Sequence, residues 1–155
     1  MNALASTSAI ELHQRRVRLP RTPVSAGVAR GHLRAAIAEW RVPVDADVAV
    51  LLTSDLVTNA ILHGDGKTVT VAIRCSRGRL RVDVYDTARS LPATLEPADM
   101  ETGSGLVLLT TLASEWGCFR TPAGKAVYFT LEFAHELPPG TDEDPPGITR
   151  GVGGL

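Results

Sequence analysis

Little in this sequence is basic, sulfur-rich or continuously apolar, and each shortfall excludes a class of protein. The formal net charge is -1 over 155 residues, so no basic field is available to attract nucleic acid. No uninterrupted apolar run approaches the roughly 18–20 residues of a membrane span. The N-terminal stretch MNALASTSAIELHQRR has no basic start followed by a hydrophobic core, so it does not read as a secretory signal. Only two cysteines occur, Cys75 and Cys118. Both lie in or beside strand-like segments, which reads as small buried side chains rather than a disulfide, with the cytoplasm as the expected compartment. The chain also lacks H-E-x-x-H, a paired C-x-x-C and G-x-x-x-x-G-K-[ST]. There is no internal repeat.

What is present suits one domain. At 44% hydrophobic, the chain can bury one ordinary core. Residues 1–14 read as a flexible leader, 15–134 as the domain, and 135–155 as a disordered tail rich in proline, glycine and acid. Arg15 to Leu19 alternate charged and apolar residues, as an edge strand does. Pro20 and Pro23 end it. Ser25 reads as the N-cap of a helix with Val28, Ala29, Leu33, Ala36, Ile37 and Trp40 on one face. Asp45 or Asp47 starts a second helix, which runs to His63 and stops at Gly64, Asp65 and Gly66. Strands with a two-residue period follow. Val69, Val71, Ile73 and Cys75 share a face, as do Leu80, Val82 and Val84, and later Val127, Phe129, Leu131 and Phe133. The turn Ser76-Arg77-Gly78 joins the first two as a hairpin. Residues 87–103 have no sustained period and read as a long loop, either functional or disordered. A third helix runs from Gly103, Ser104 and Gly105 to about Trp116. The expected fold is an α/β two-layer sandwich with a mixed, mostly antiparallel sheet and helices on one face.

Three features suggest a binding site. In LLTSDLVTNAILHG, a helical wheel puts Val48, Leu51, Leu52, Asp55, Asn59 and Leu62 on one stripe. A carboxylate and an amide one turn apart then point into a surface expected to be buried, which is costly without partners. Asp86 ends a strand in register with Leu80, Val82 and Val84, on the core face, and reads either as a capping or turn aspartate or as an acceptor for the amino group of a buried base. The glycine turn at Gly103, Ser104 and Gly105 opens a helix, where free N–H groups and the helix dipole suit a phosphate. His63 reads as a cap or packing residue and Lys125 as a solvated turn residue.

Taken in order, the Asp55-x-x-x-Asn59 helix, the strand-end Asp86, the irregular loop and the glycine turn resemble the ATP-binding superfamily of gyrase, histidine kinases and the mismatch-repair protein MutL. Its fold is the Bergerat α/β sandwich. Within it, SDLVTNAILHG, ETGSGLVLLTTLASEWG and GKAVYFTLEF look like bacterial anti-sigma-factor serine kinases, most of all the single-domain ATP-binding regulators of actinomycetes. The resemblance covers residues 15–133. It implies ATP and Mg²⁺ as ligands, with Asn59 holding the metal and Asp55 as the catalytic acid or base, where the family usually has Glu. It implies Asp86 as the adenine-binding carboxylate, and Gly103, Ser104 and Gly105 as the lid-to-helix turn near the phosphates. Ala126 stands where the family often has a threonine supporting that carboxylate. The implied partners are a sigma factor, an anti-sigma-factor antagonist bearing the phosphorylated serine, and a second copy in a homodimer. The other reading of the same residues is a binding module that keeps the fold without the chemistry.

Overall fold

The computed structural model describes residues 11–87 and 104–134. Five strands and three helices form an α/β fold. The strands are β1 (Glu11–Pro20), β2 (Thr68–Ser76), β3 (Arg79–Asp86), β4 (Glu115–Thr121) and β5 (Gly124–Glu132). The helices are α1 (Val24–Trp40), α2 (Ala46–His63) and α3 (Ser104–Leu112). The sheet order is β1-β2-β3-β5-β4. Every strand pair is antiparallel, so the mixed component expected from the sequence is absent among the described residues. Local connections account for this: β2–β3 and β4–β5 are tight hairpins, and antiparallel pairing is what short turns permit. The α1–α2 hairpin lies between β1 and β2.

The two-residue periods translate directly into burial. Val69, Val71, Ile73 and Cys75 are buried, as are Leu80, Val82 and Val84, and Val127, Phe129 and Leu131. They form one core with Ala29, Leu33, Ala36 and Ile37 of α1 and Leu52, Leu56 and Val57 of α2, an arrangement compatible with a two-layer sandwich. Arg77 and Gly78 make the two-residue turn, and Gly78 has φ 83°, a conformation glycine adopts freely.

Several boundaries differ from the sequence reading. β1 begins at Glu11 and so reaches into the stretch read as leader. Ser25 is not the N-cap of α1. It lies inside the helix, buried, and its hydroxyl donates to the Pro20 carbonyl at 2.5 Å. Asp45 does cap α2, accepting from Asp47 N and Val48 N at 3.0 and 3.3 Å. α3 stops at Leu112, and Trp116 belongs to β4, opposite Phe129. Cys75 is buried and Cys118 half-buried, and neither is in a disulfide. The loop stretch 88–103, Gly103 included, and the tail stretch 135–155 lie outside the described residues.

The largest correction concerns the phase of α2. Its buried residues are Ala49, Val50, Leu52, Thr53, Leu56, Val57, Ala60 and Ile61. Leu51 and Leu62 are 41% and 66% exposed, and Val48, Asp55 and Asn59 are half-buried. The centre of the core-facing arc therefore lies on another side of the helix from the stripe drawn through Asp55 and Asn59. The reason is that α2 is apolar nearly all round. α2 packs on both the sheet and α1, and the small residues Ala49, Thr53 and Ala60 permit close approach. Asp55 and Asn59 are left on a flank.

Candidate functional site

Asp86 and the residues packed around it form one corner of the sheet. β3 ends at Asp86, which pairs in register with Lys125 at the start of β5. Because Val127, Phe129 and Leu131 face the core, Lys125 two residues earlier does so too. Its Nζ lies 3.0 Å from Asp86 Oδ2, with the side chains 15% and 3% exposed respectively. Lys125 is thus not a solvated turn residue. It is half of a largely buried ion pair. Ala126 is buried opposite Tyr85 and faces away from Asp86, so the residue facing Asp86 across the strand pair is 125.

The C-terminal end of α2 forms the wall beside this pair. Gly64 N donates to the Ala60 carbonyl at 3.0 Å. A Cβ at Gly64 would sit 2.5 Å from the Ala60 oxygen and 2.9 Å from Asp86 Oδ2, so the carboxylate packs on bare backbone. Next to it, Thr87 Oγ1 donates to the Asp65 carbonyl at 3.1 Å. Gly66, at φ 88°, leaves the space that Thr87 fills. Arg21 secures the corner from β1's side: its Nε donates to Gly66 O and its Nη1 to Ile61 O. A cation on the last carbonyls of a helix is favourable. Nothing in the local sequence around Arg21 signals this role, since it depends on the β1–β2 pairing.

Gly64 and Gly31 offer a paired test of this packing. Gly64→Ala is expected to destabilise by roughly 1–3 kcal/mol, as overpacking does. Gly31, in α1, has open space where a Cβ would go, and Gly31→Ala should stabilise by about 0.5–1 kcal/mol. Urea midpoints of the two variants check both signs, and a neutral Gly64→Ala would mean the carboxylate is not held against the backbone.

Asn59 and Asp55 lie up the same helix. With a rise of 1.5 Å per residue, they sit about 7 Å and about 13 Å along the axis from Gly64. Asp55 is half-buried, yet its Oδ2 is buried with no hydrogen-bond partner among the described residues. Burial raises its carboxyl above the usual aspartate value of 3.8, because desolvation disfavours the charge. α3 packs against α2, with Leu109 fully buried, and Ser104 and Gly105 open it. Asp86, Asn59 and Asp55 thus follow one another from the strand end along α2. His63 is exposed in the last turn of α2, apart from this array. No cluster of three or more His, Cys, Asp or Glu is placed to hold a metal among the described residues, so a metal here would rest on Asn59, ligand oxygens and water.

A second array occupies the opposite face of the sheet. Asp83 is 1% exposed and takes both Arg81 Nε and Nη2 at 2.9 Å, with Arg74 Nη2 at 3.5 Å. Arg81 lies 4.0 Å over the Tyr128 ring and Arg16 5.0 Å over Tyr85. Phe119 sits between the two tyrosines. Arg81 and Asp83 are two residues apart on one strand, so their pairing follows from the alternation, and the cross-strand register adds Arg74 and Tyr128.

Compared with models of protein families and with curated proteins, the chain matches none.

Proposed function

We propose that this chain is an ATP-binding regulator of the Bergerat type, resembling anti-sigma factors with serine kinase activity. The observation that carries the reading is Asp86. A carboxylate at the end of a strand, on the core face, packed on the backbone of Gly64 and paired with Lys125, is a group suited to accept the amino group of a buried base. The order of groups along α2 supports the rest. With adenine at Asp86, phosphates extend toward Asn59, which would ligate Mg²⁺ through its amide oxygen. Magnesium takes oxygen ligands and keeps several waters, so one protein ligand suffices. Asp55, farther along, is where an acid would orient and deprotonate the attacking hydroxyl. Backbone N–H groups at Ser104 and Gly105 would face phosphate oxygens. The partners proposed are a sigma factor, an antagonist carrying the acceptor serine, and a second copy of the chain.

The test is a titration with ATP or ADP in Mg²⁺, read by thermal or urea unfolding. At 100 times its dissociation constant, a ligand of the folded state stabilises by about 2.7 kcal/mol. Asp86→Ala should remove that shift. Absence of any shift at millimolar nucleotide would sink the reading, and a shift that survives Asp86→Ala would place the base elsewhere.

A further inference from the structure

Lys125 has an unusual position for a lysine. Its stem is long enough to carry the ammonium to water, and lysine ordinarily does so. Here the stem lies on the core face and the ammonium stays 3.0 Å from Asp86 Oδ2, only 15% exposed. Asp86 is confined in turn by the Gly64 backbone, and the register holds the two residues directly opposite one another. The pair therefore presents an acceptor-only carboxylate oxygen beside a donor-only ammonium. A 6-aminopurine carries the complementary edge: an N–H donor on the amino group beside the lone pair of N1.

We propose that Lys125 is a second base-reading residue, donating to adenine N1 while Asp86 accepts from the 6-amino group. The inference rests on the nucleotide reading above. It gives the cation at the start of β5 a role that position 126, turned to the other face, cannot fill. A base with a carbonyl at position 6 and a protonated N1 would place acceptor and donor in the reverse order, against a carboxylate that Gly64 holds in place.

The experiment measures the affinity of wild type and Lys125→Met for ATP and for 1-deaza-ATP, which has carbon and hydrogen in place of N1. Urea midpoints of both apo proteins are recorded alongside. Wild type should bind ATP roughly ten- to hundredfold tighter than the 1-deaza analogue, the span of one hydrogen bond from a charged donor. Lys125→Met should bind both alike, at about the weaker level. If Lys125→Met does not fold, Lys125→Ala takes its place in the same comparison. Equal wild-type affinity for both nucleotides overturns the inference and leaves the site intact. So does an unchanged or improved ATP affinity in Lys125→Met, which would make the lysine a plug rather than a reader. Wild type that binds neither nucleotide overturns the underlying reading, and this inference with it.

Discussion

Asp55→Asn is expected to lower phosphate transfer to an antagonist serine by roughly 10²–10⁴-fold, the usual contribution of a positioned general base. ATP affinity should stay within a few-fold, because Asp55 lies farther along α2 from the base corner than Asn59 does. Asp55→Glu should retain or raise activity by restoring the longer acid usual in the family that the sequence resembles. The same variant has a second, independent signature. Burial raises the Asp55 carboxyl, so the folded state binds its proton more readily than the unfolded chain. The stability cost of ionising it is absent below the unfolded value near 3.8 and sets in as pH rises through the folded one. Asp55→Asn should therefore stabilise the apo protein at neutral pH and gain nothing at low pH. Phosphotransfer assays with the antagonist and urea midpoints at two pH values read these effects separately. Wild-type protein that binds ATP and transfers nothing would leave a regulator that uses nucleotide only as a ligand.

Asp83→Ala is expected to produce the largest loss of stability on the outer face of the sheet. Removing one partner of a fully buried ion pair costs roughly 3–5 kcal/mol. Here the guanidiniums of Arg81 and Arg74 remain 28% and 40% exposed, so water can take over part of their solvation. Roughly 1–3 kcal/mol is expected after that discount. Arg81 would also lose the bidentate anchor that holds it over Tyr128. The double variant Asp83→Ala/Arg81→Ala should cost less than the sum of the singles, since each removes the same interaction. Additive losses would show that the carboxylate is stabilised by something other than Arg81.

β2, β3 and β5 are legible in the sequence because each alternates large apolar residues with smaller or polar ones, and a period of two fixes which set faces the core. That logic also places Asp86 on the core face. The phase of α2 is not legible. With leucine, valine, alanine or isoleucine on nearly every side, the wheel admits more than one stripe, and the neighbours choose among them. β4 is hidden for a related reason: Trp116 continues the helical spacing of Leu106, Leu109 and Ala113, so the helix absorbs it. Its own signal is the alternation of Trp116 and Cys118 on one side, followed by the turn before Gly124. Lys125 follows a glycine in a hairpin and looks like any turn lysine, and only its register with Asp86 turns it inward. Asp83 escapes notice because its place on the outward face suggests solvent, whereas Arg81 two residues away on the same strand, Arg74 on β2 and Tyr128 on β5 cover it. For Lys125, and for Arg74 and Tyr128 around Asp83, the missing information is which residue stands opposite, and that belongs to the pairing rather than to the segment.

Among the described residues β1, at ten residues, is a sheet border long enough to template addition of a foreign strand. Arg15, Arg16 and Arg18 stud it, its register shifts between Glu11 and His13, and Pro20 closes it with a residue that has no N–H to offer. A strand arriving from a like molecule would meet charge and irregular spacing before it met a clean row of amides. The opposite border, β4, is shorter and carries Glu115 and Arg120. Crowded folding conditions should thus leave these sheets discrete rather than joined into fibrils.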